Sequence, residues 1–312
     1  MTNVNQYGWK ALVGSAVGYA MDGFDLLILG FMLSAISADL NLTPAQSGSL
    51  VTWTLIGAVV GGIVFGALSD RYGRVRVLTW TIVLFAVFTG LCAIAQGYWD
   101  LLIYRTIAGI GLGGEFGIGM ALAIEAWPAK HRAKAASYVA LGWQVGVLAA
   151  ALLTPVLLSH IGWRGMFVVG IFPAFVAWYL RTRLHEPEIF SRKQTALSTQ
   201  KTSKLESFKL LIKDKATTKV SLGVVVLTSV QNFGYYGIMI WMPNFLSKQL
   251  GFSLTKSGLW TAVTVCGMMA GIWIFGRLAD RIGRKPSFLL FQLGAVISII
   301  TYSQFTVPTA ML

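Results

Sequence analysis

The stretch YAMDGFDLLILGF, residues 19–31, holds two carboxylates, Asp22 and Asp25, inside an otherwise apolar run. A carboxylate at the centre of a membrane helix costs about 2.5–3.5 kcal/mol on insertion scales, so a pair of them needs a reason. Three residues apart, they sit about 60° from one another on one helical face. The spacing predicts that both look into a single protein interior or water-filled chamber rather than lipid. Arg105 lies inside a second apolar run. Helical rise places Asp22 about 17 Å and Asp25 about 21 Å into the first run, with Arg105 at about the depth of Asp25. A buried guanidinium keeps its charge and seeks a planar anion. Asp25 is the protein partner for it, and a substrate carboxylate is the rival. If substrate takes Arg105, the displaced Asp25 can pick up a proton, and that exchange would couple the two. Asp22 is the other proton carrier, able to cross the membrane neutral once protonated. The plainer reading is that both aspartates only satisfy packing partners. Glu115, about 15 Å along the helix from Arg105, is either a further proton station or an inner-gate ion pair.

These groups must be positioned by membrane helices. Of 312 residues, 55% are hydrophobic and only 12% charged, about half the charged share of a soluble domain. Apolar runs fall at 11–37, 46–68, 77–96, 98–123, 135–159, 165–182, 219–247, 255–277 and 286–306. Each approaches or exceeds the length that spans a bilayer. The first is too long for a signal-peptide core and has no basic stretch before it. Twenty-one of the 25 basic residues fall on the side of the N-terminus, against Arg164, Lys248 and Lys256 on the other. The positive-inside rule therefore puts the N-terminus in the cytoplasm of a multi-pass protein of the plasma or inner membrane. The net charge of +13 belongs to those loops and calls for no nucleic acid. His131, His160 and His185 show no metal-ligand spacing, and Cys92 and Cys266 each stand alone in apolar runs, so no metal is expected. No nucleophile–base set is visible, and the chain does not read as an enzyme.

The sequence repeats itself. A shift of 210 residues lays residues 40–74 on 250–284 without a gap, matching Gly57 with Gly267, Gly61 with Gly271 and the whole Asp70-Arg71-x-Gly73-Arg74 with Asp280-Arg281-x-Gly283-Arg284. Two similar halves are thus joined in tandem. Residues 1–183 read as a six-helix bundle, 184–217 as a polar connector with a short amphipathic helix at KLESFKLLIKD, and 218–312 as the first three helices of a second bundle. By the same repeat, a matching second half needs further helices, so a truncated chain is expected. The shift carries Asp22 to Asn232 and Asp25 to Tyr235. Gln231, Asn232, Tyr235 and Tyr236 then suit a cavity wall that orients a polar organic molecule, or else serve as polar and aromatic glue between helices. Trp143 and Gln144 are similar candidates. The glycines from 109 to 119 make a smooth helix for close packing and not a phosphate loop, since no Lys-Ser/Thr follows.

GALSDRYGRVRV and its echo GRLADRIGRKPS resemble the signature loop of the major facilitator superfamily. RTIAGIGLGGEFG is similar to that superfamily's Arg- and Gly-rich fourth helix, and Glu125 with Arg132 reproduces a Glu-x6-Arg spacing seen there. With DGFD, IEAWPAKHRAKAAS and GWRGMFVVGIFP, the chain resembles the metabolite:proton symporters for sialate, lactate and aromatic acids. The resemblance implies an all-α polytopic fold whose two bundles rock about a midplane site. It also implies proton-coupled uptake of a small organic anion, with the proton as coupling ion, no other cofactor, and no obligatory oligomer. Asp70, Arg71, Arg74, Glu125, Arg132, Asp280, Arg281 and Arg284 would form the cytoplasmic gate, with Asp280 latching toward the fifth helix. Topology anchoring alone is the simpler role for these charges. The absence from the fifth helix of the Gly-Pro signature of drug antiporters favours uptake over export. A proton-driven exporter, a neutral-solute carrier and a non-transporting sensor remain as alternatives.

Overall fold

The computed structural model describes residues 6–182, 213–251 and 253–302, and all their regular structure is helical. In chain order these are α1 (Gln6–Asp39), α2 (Pro44–Tyr72), α3 (Arg74–Cys92) and α4 (Tyr98–Glu125). A 3₁₀ turn (Ala129–His131) then leads into the run Arg132–Thr182. That run turns at Gly162 (φ 64°, ψ 178°), and we label its two arms α5 (132–161) and α6 (163–182). There follow α7 (Lys215–Leu250), α8 (Leu254–Ile282) and α9 (Arg284–Tyr302). Seven helices among the described residues are long and apolar enough to cross a membrane, counting the start of the Arg132–Thr182 run once. The architecture is a six-helix bundle followed by three helices of a second. The amphipathic helix expected at KLESFKLLIKD lies almost wholly outside the described residues, of which only Lys213 and Asp214 belong to it.

Local sequence sets the helix ends. Thr43 caps α2 in a capping box: its side chain accepts from the Gln46 N–H, and the Gln46 side-chain Oε1 accepts from the Thr43 N–H. Pro44 follows at the first helical position, where a missing N–H costs nothing. Ser253 does the same for α8, accepting from the Lys256 N–H. The repeat holds in the backbone to the residue. Asn41 and Gly251 both take left-handed φ (51° and 64°), and Gly73 and Gly283 both adopt positive φ with extended ψ (102°, 146° and 93°, 159°). That last conformation is essentially reserved for glycine, which is why both copies of the signature loop carry one there.

Close packing then fixes the bundle. A Cβ on Gly57 or Gly61 of α2 would collide with the carbonyls of Thr106 or Ile110 on α4, and one on Gly109 or Gly113 with those of Thr54 or Ala58. In lipid, where no hydrophobic force gathers helices, such backbone approach supplies the association. α1 is laid against α5 in the same way, Gly142 facing Ala16 and Gly146 facing Ala20. The last three helices join through α7, where Gly30 of α1 faces Ile240, and through α8, where Gly258 faces Ala151 and Gly276 faces Ser137 of α5. α1 is thereby largely covered by neighbours, and α4 is covered on the face that carries Arg105 and Glu115.

Candidate functional site

Asp25 and Arg105 form one bidentate ion pair. Arg105 Nη1 donates to Asp25 Oδ1 at 3.0 Å and Nη2 to Oδ2 at 2.7 Å, with both side chains at most 1% exposed. Phe167 of α6 lays its ring 5.8 Å from the guanidinium carbon, and the Cys92 thiol of α3 borders the same group. Four helices therefore converge on the pair. The depth argument from sequence brings these two residues together, and the geometry does so with the planar match that an arginine fork favours.

Asp22 is equally buried but has different neighbours. Tyr19 of α1 and Tyr236 of α7 lie within electrostatic reach of its carboxylate. The Tyr19 ring stands 5.0 Å from both Phe116 and Trp143. Trp143 stands 6.4 Å from Tyr235 and 6.3 Å from Tyr236, and its indole N–H donates to the Tyr235 hydroxyl at 2.6 Å. The Gln144 side chain reaches the same hydroxyl. These residues make an aromatic cluster across the junction of the two bundles, with one carboxylate in its wall. A single chamber shared by both aspartates is the expectation from their spacing. The structure instead turns Asp25 inward to Arg105 and Asp22 toward the seam, and neither faces lipid.

The remaining candidates divide. Glu115 is buried on α4. Gln231 and Asn232 are exposed, about one turn before Tyr235 and Tyr236, and stand outside the buried cluster. Helical depth carries no information on the direction in which they point. Of the gate candidates, Arg74 and Glu125 are joined by an ion pair at 2.8 Å. Asp70, Arg71, Arg132, Asp280, Arg281 and Arg284 are exposed, and among the described residues none of these six forms an ion pair. Asp280 ends a helix that is packed on α5 by way of Gly276, yet it makes no charged contact there. Tyr19 and Phe116 were not singled out by sequence. Tyr19 lies three residues before Asp22, on the same helical face, and that offset was the available signal. A further clamp gives no signal in the sequence: Arg164 Nη1 donates to Asp39 at 2.6 Å and Nη2 to the Ala95 carbonyl at 3.2 Å, while the Trp163 N–H also donates to Asp39. It ties the C-terminal end of α1 to the α5–α6 and α3–α4 turns.

Seven membrane-length helices among the described residues, enclosing ionisable groups and an aromatic cluster, are the architecture of a multi-pass membrane protein. Residues 15–312 match the Major Facilitator Superfamily, and the chain belongs to it. A protein of Haemophilus influenzae, carrying only the provisional name of metabolite transport protein, is 88% identical over 315 residues, covering 100% of this chain and 77% of that protein. A cis,cis-muconate transport protein of Acinetobacter baylyi is 30% identical, with 95% of this chain and 72% of that one covered. A sialic acid transporter of Escherichia coli is 30% identical over 95% and 70%. Among solved structures, a D-xylose–proton symporter superposes with a TM-score of 0.72 at 23% identity, covering 95% of this chain and 74% of that chain; this likeness concerns the fold. The chain is a multi-pass transporter of this superfamily and not an enzyme.

Proposed function

We propose that this transporter takes up a small, planar carboxylate together with protons, by alternating access about the seam between its two bundles. The observation that carries the reading is the Asp25–Arg105 pair, buried beside an aromatic cluster that itself contains Asp22. A guanidinium held by one carboxylate can be passed to another of the same shape, and a substrate carboxylate fits that exchange. Protonation of the displaced Asp25, or of Asp22, would cancel the charge left behind. Faces from Tyr19, Trp143, Tyr235 and Tyr236 suit a flat conjugated body, since aromatic rings pack best in offset or edge contacts. Relatives named for muconate and for niacin carry cargo of that description. The basic loops support a cytoplasmic N-terminus, which makes the Arg74–Glu125 pair an inner tie within the first bundle.

A second reading has one observation in its favour. Both terminal nitrogens of Arg105 are committed to Asp25, while Tyr235, Trp143 and Gln144 offer neutral polar groups. A neutral-solute carrier would use those alone and keep the ion pair closed. Uptake into proteoliposomes of labelled muconate and nicotinate, beside nicotinamide as a neutral match, separates the two. The first reading predicts accumulation of the acids that rises when the outside is made acidic. Nicotinamide uptake without acid uptake would overturn it.

A further inference from the structure

We propose that the cleft between α3 and α6 holds one acyl chain of an anionic phospholipid, whose headgroup lies at Arg76. The cleft has a volume of about 360 Å³ and a wholly apolar lining, with Ile82, Val83 and Val87 on one wall and Phe175 and Trp178 on the other. It narrows at Gly90, where even a methyl group would press on Ile171. From Ile82 to Gly90 the groove runs about 12 Å, most of one leaflet's share of a hydrocarbon core of about 30 Å. The groove is apolar throughout its lining, and a hydrocarbon chain is the occupant its chemistry matches.

Charge sets the headgroup. Counting back along the groove face of α3 by threes and fours from Val83 reaches Thr79 and then Arg76, and Arg76 is exposed. It stands about 9 Å below Ile82 along the axis, within reach of a long side chain that snorkels to the interface. Beside it, the exposed rings of Tyr72 and Trp80 pack at a tilt, 5.8 Å apart, and Arg71 lies 5.2 Å from the Tyr72 ring. Tyrosine and tryptophan at this level mark the boundary between hydrocarbon and headgroups. Cationic residues there draw anionic lipid. The apolar groove and its basic, aromatic foot thus match the two ends of one lipid molecule.

The test uses phosphatidylcholine vesicles containing either phosphatidylglycerol or phosphatidylcholine brominated on one acyl chain. Bromine quenching of Trp178 is read as the difference between the wild type and Trp178→Phe. Phosphatidylglycerol should occupy the site about fivefold more strongly than phosphatidylcholine, as expected for one interfacial cation. Arg76→Gln should level the two lipids, and Val87→Phe, which fills the groove, should weaken quenching by both. Equal quenching by the two lipids in the wild type, a preference that survives Arg76→Gln, or no quenching of Trp178 at all would each overturn the proposal.

Discussion

The two copies of the internal repeat, residues 40–92 and 250–302, share helix lengths, cap residues, a left-handed residue before the first helix and a positive-φ glycine after it. Their surroundings differ. Gly57 and Gly61 of the first copy lie against the backbone of α4, whereas nothing among the described residues comes within 4 Å of a Cβ at Gly267, and only Phe291 does so at Gly271. Arg74 of the first copy meets Glu125, while its counterpart Arg284 is exposed. On the preceding helices, Asp25 holds Arg105, and its counterpart Tyr235 accepts from Trp143. Repetition dictates backbone geometry, and partner helices decide which positions carry energy and chemistry. Among the described residues, the buried ion pair stands in the first bundle, and α7 brings aromatic faces and a neutral hydrogen bond to the seam.

The comparison breaks most visibly at Asp25 and Tyr235. Arg105→Ala leaves a buried carboxylate alone and should lower stability by about 3–5 kcal/mol, whereas Tyr235→Phe takes the hydroxyl away from Trp143 and Gln144 and should cost about 1–3 kcal/mol. Thermal unfolding in nanodiscs measures both, and equal losses would erase the distinction between the halves. Next come the glycines. Gly61→Val should cost at least about 1–3 kcal/mol by forcing α2 off α4, and Gly271→Val less than about 0.5 kcal/mol. The caps should show no asymmetry: Thr43→Ala and Ser253→Ala should each cost about 1 kcal/mol, and unequal costs would show that tertiary context outweighs the local cap. The smallest effect is at the paired Asp-Arg-x-Gly-Arg segments, where Glu125→Gln should cost at most about 1 kcal/mol because its pair with Arg74 is partly solvated, and Arg284→Gln should be close to silent.

Much of this was legible in the sequence because membrane constraints are severe. Spans of about 20 apolar residues, Thr43-Pro44 and Ser253 at helix starts, and the doubled Asp-Arg-x-Gly-Arg locate helices and repeat without tertiary information. Asp25 and Arg105 were paired by depth because few anions are available to a buried guanidinium. Azimuth was harder. Depth alone put Gln231 and Asn232 beside Tyr235 and Tyr236, yet the rotation of α7 leaves the first two exposed. Tyr19 and Phe116 gave no signal of their own, since aromatic rings in an apolar helix are common; their role depends on which helices cross at that height. The Asp39–Arg164 clamp was hidden because its residues lie 125 positions apart and meet only after α5 turns at Gly162.

The most direct measurement concerns Asp22, the carboxylate at the seam. Asp22→Asn is reconstituted into proteoliposomes and assayed twice with labelled muconate, once for exchange against internal unlabelled substrate and once for accumulation under an inward proton gradient. A proton-carrying Asp22 predicts exchange close to wild type and accumulation reduced to the level reached without a gradient. Accumulation undiminished by the substitution would contradict that role.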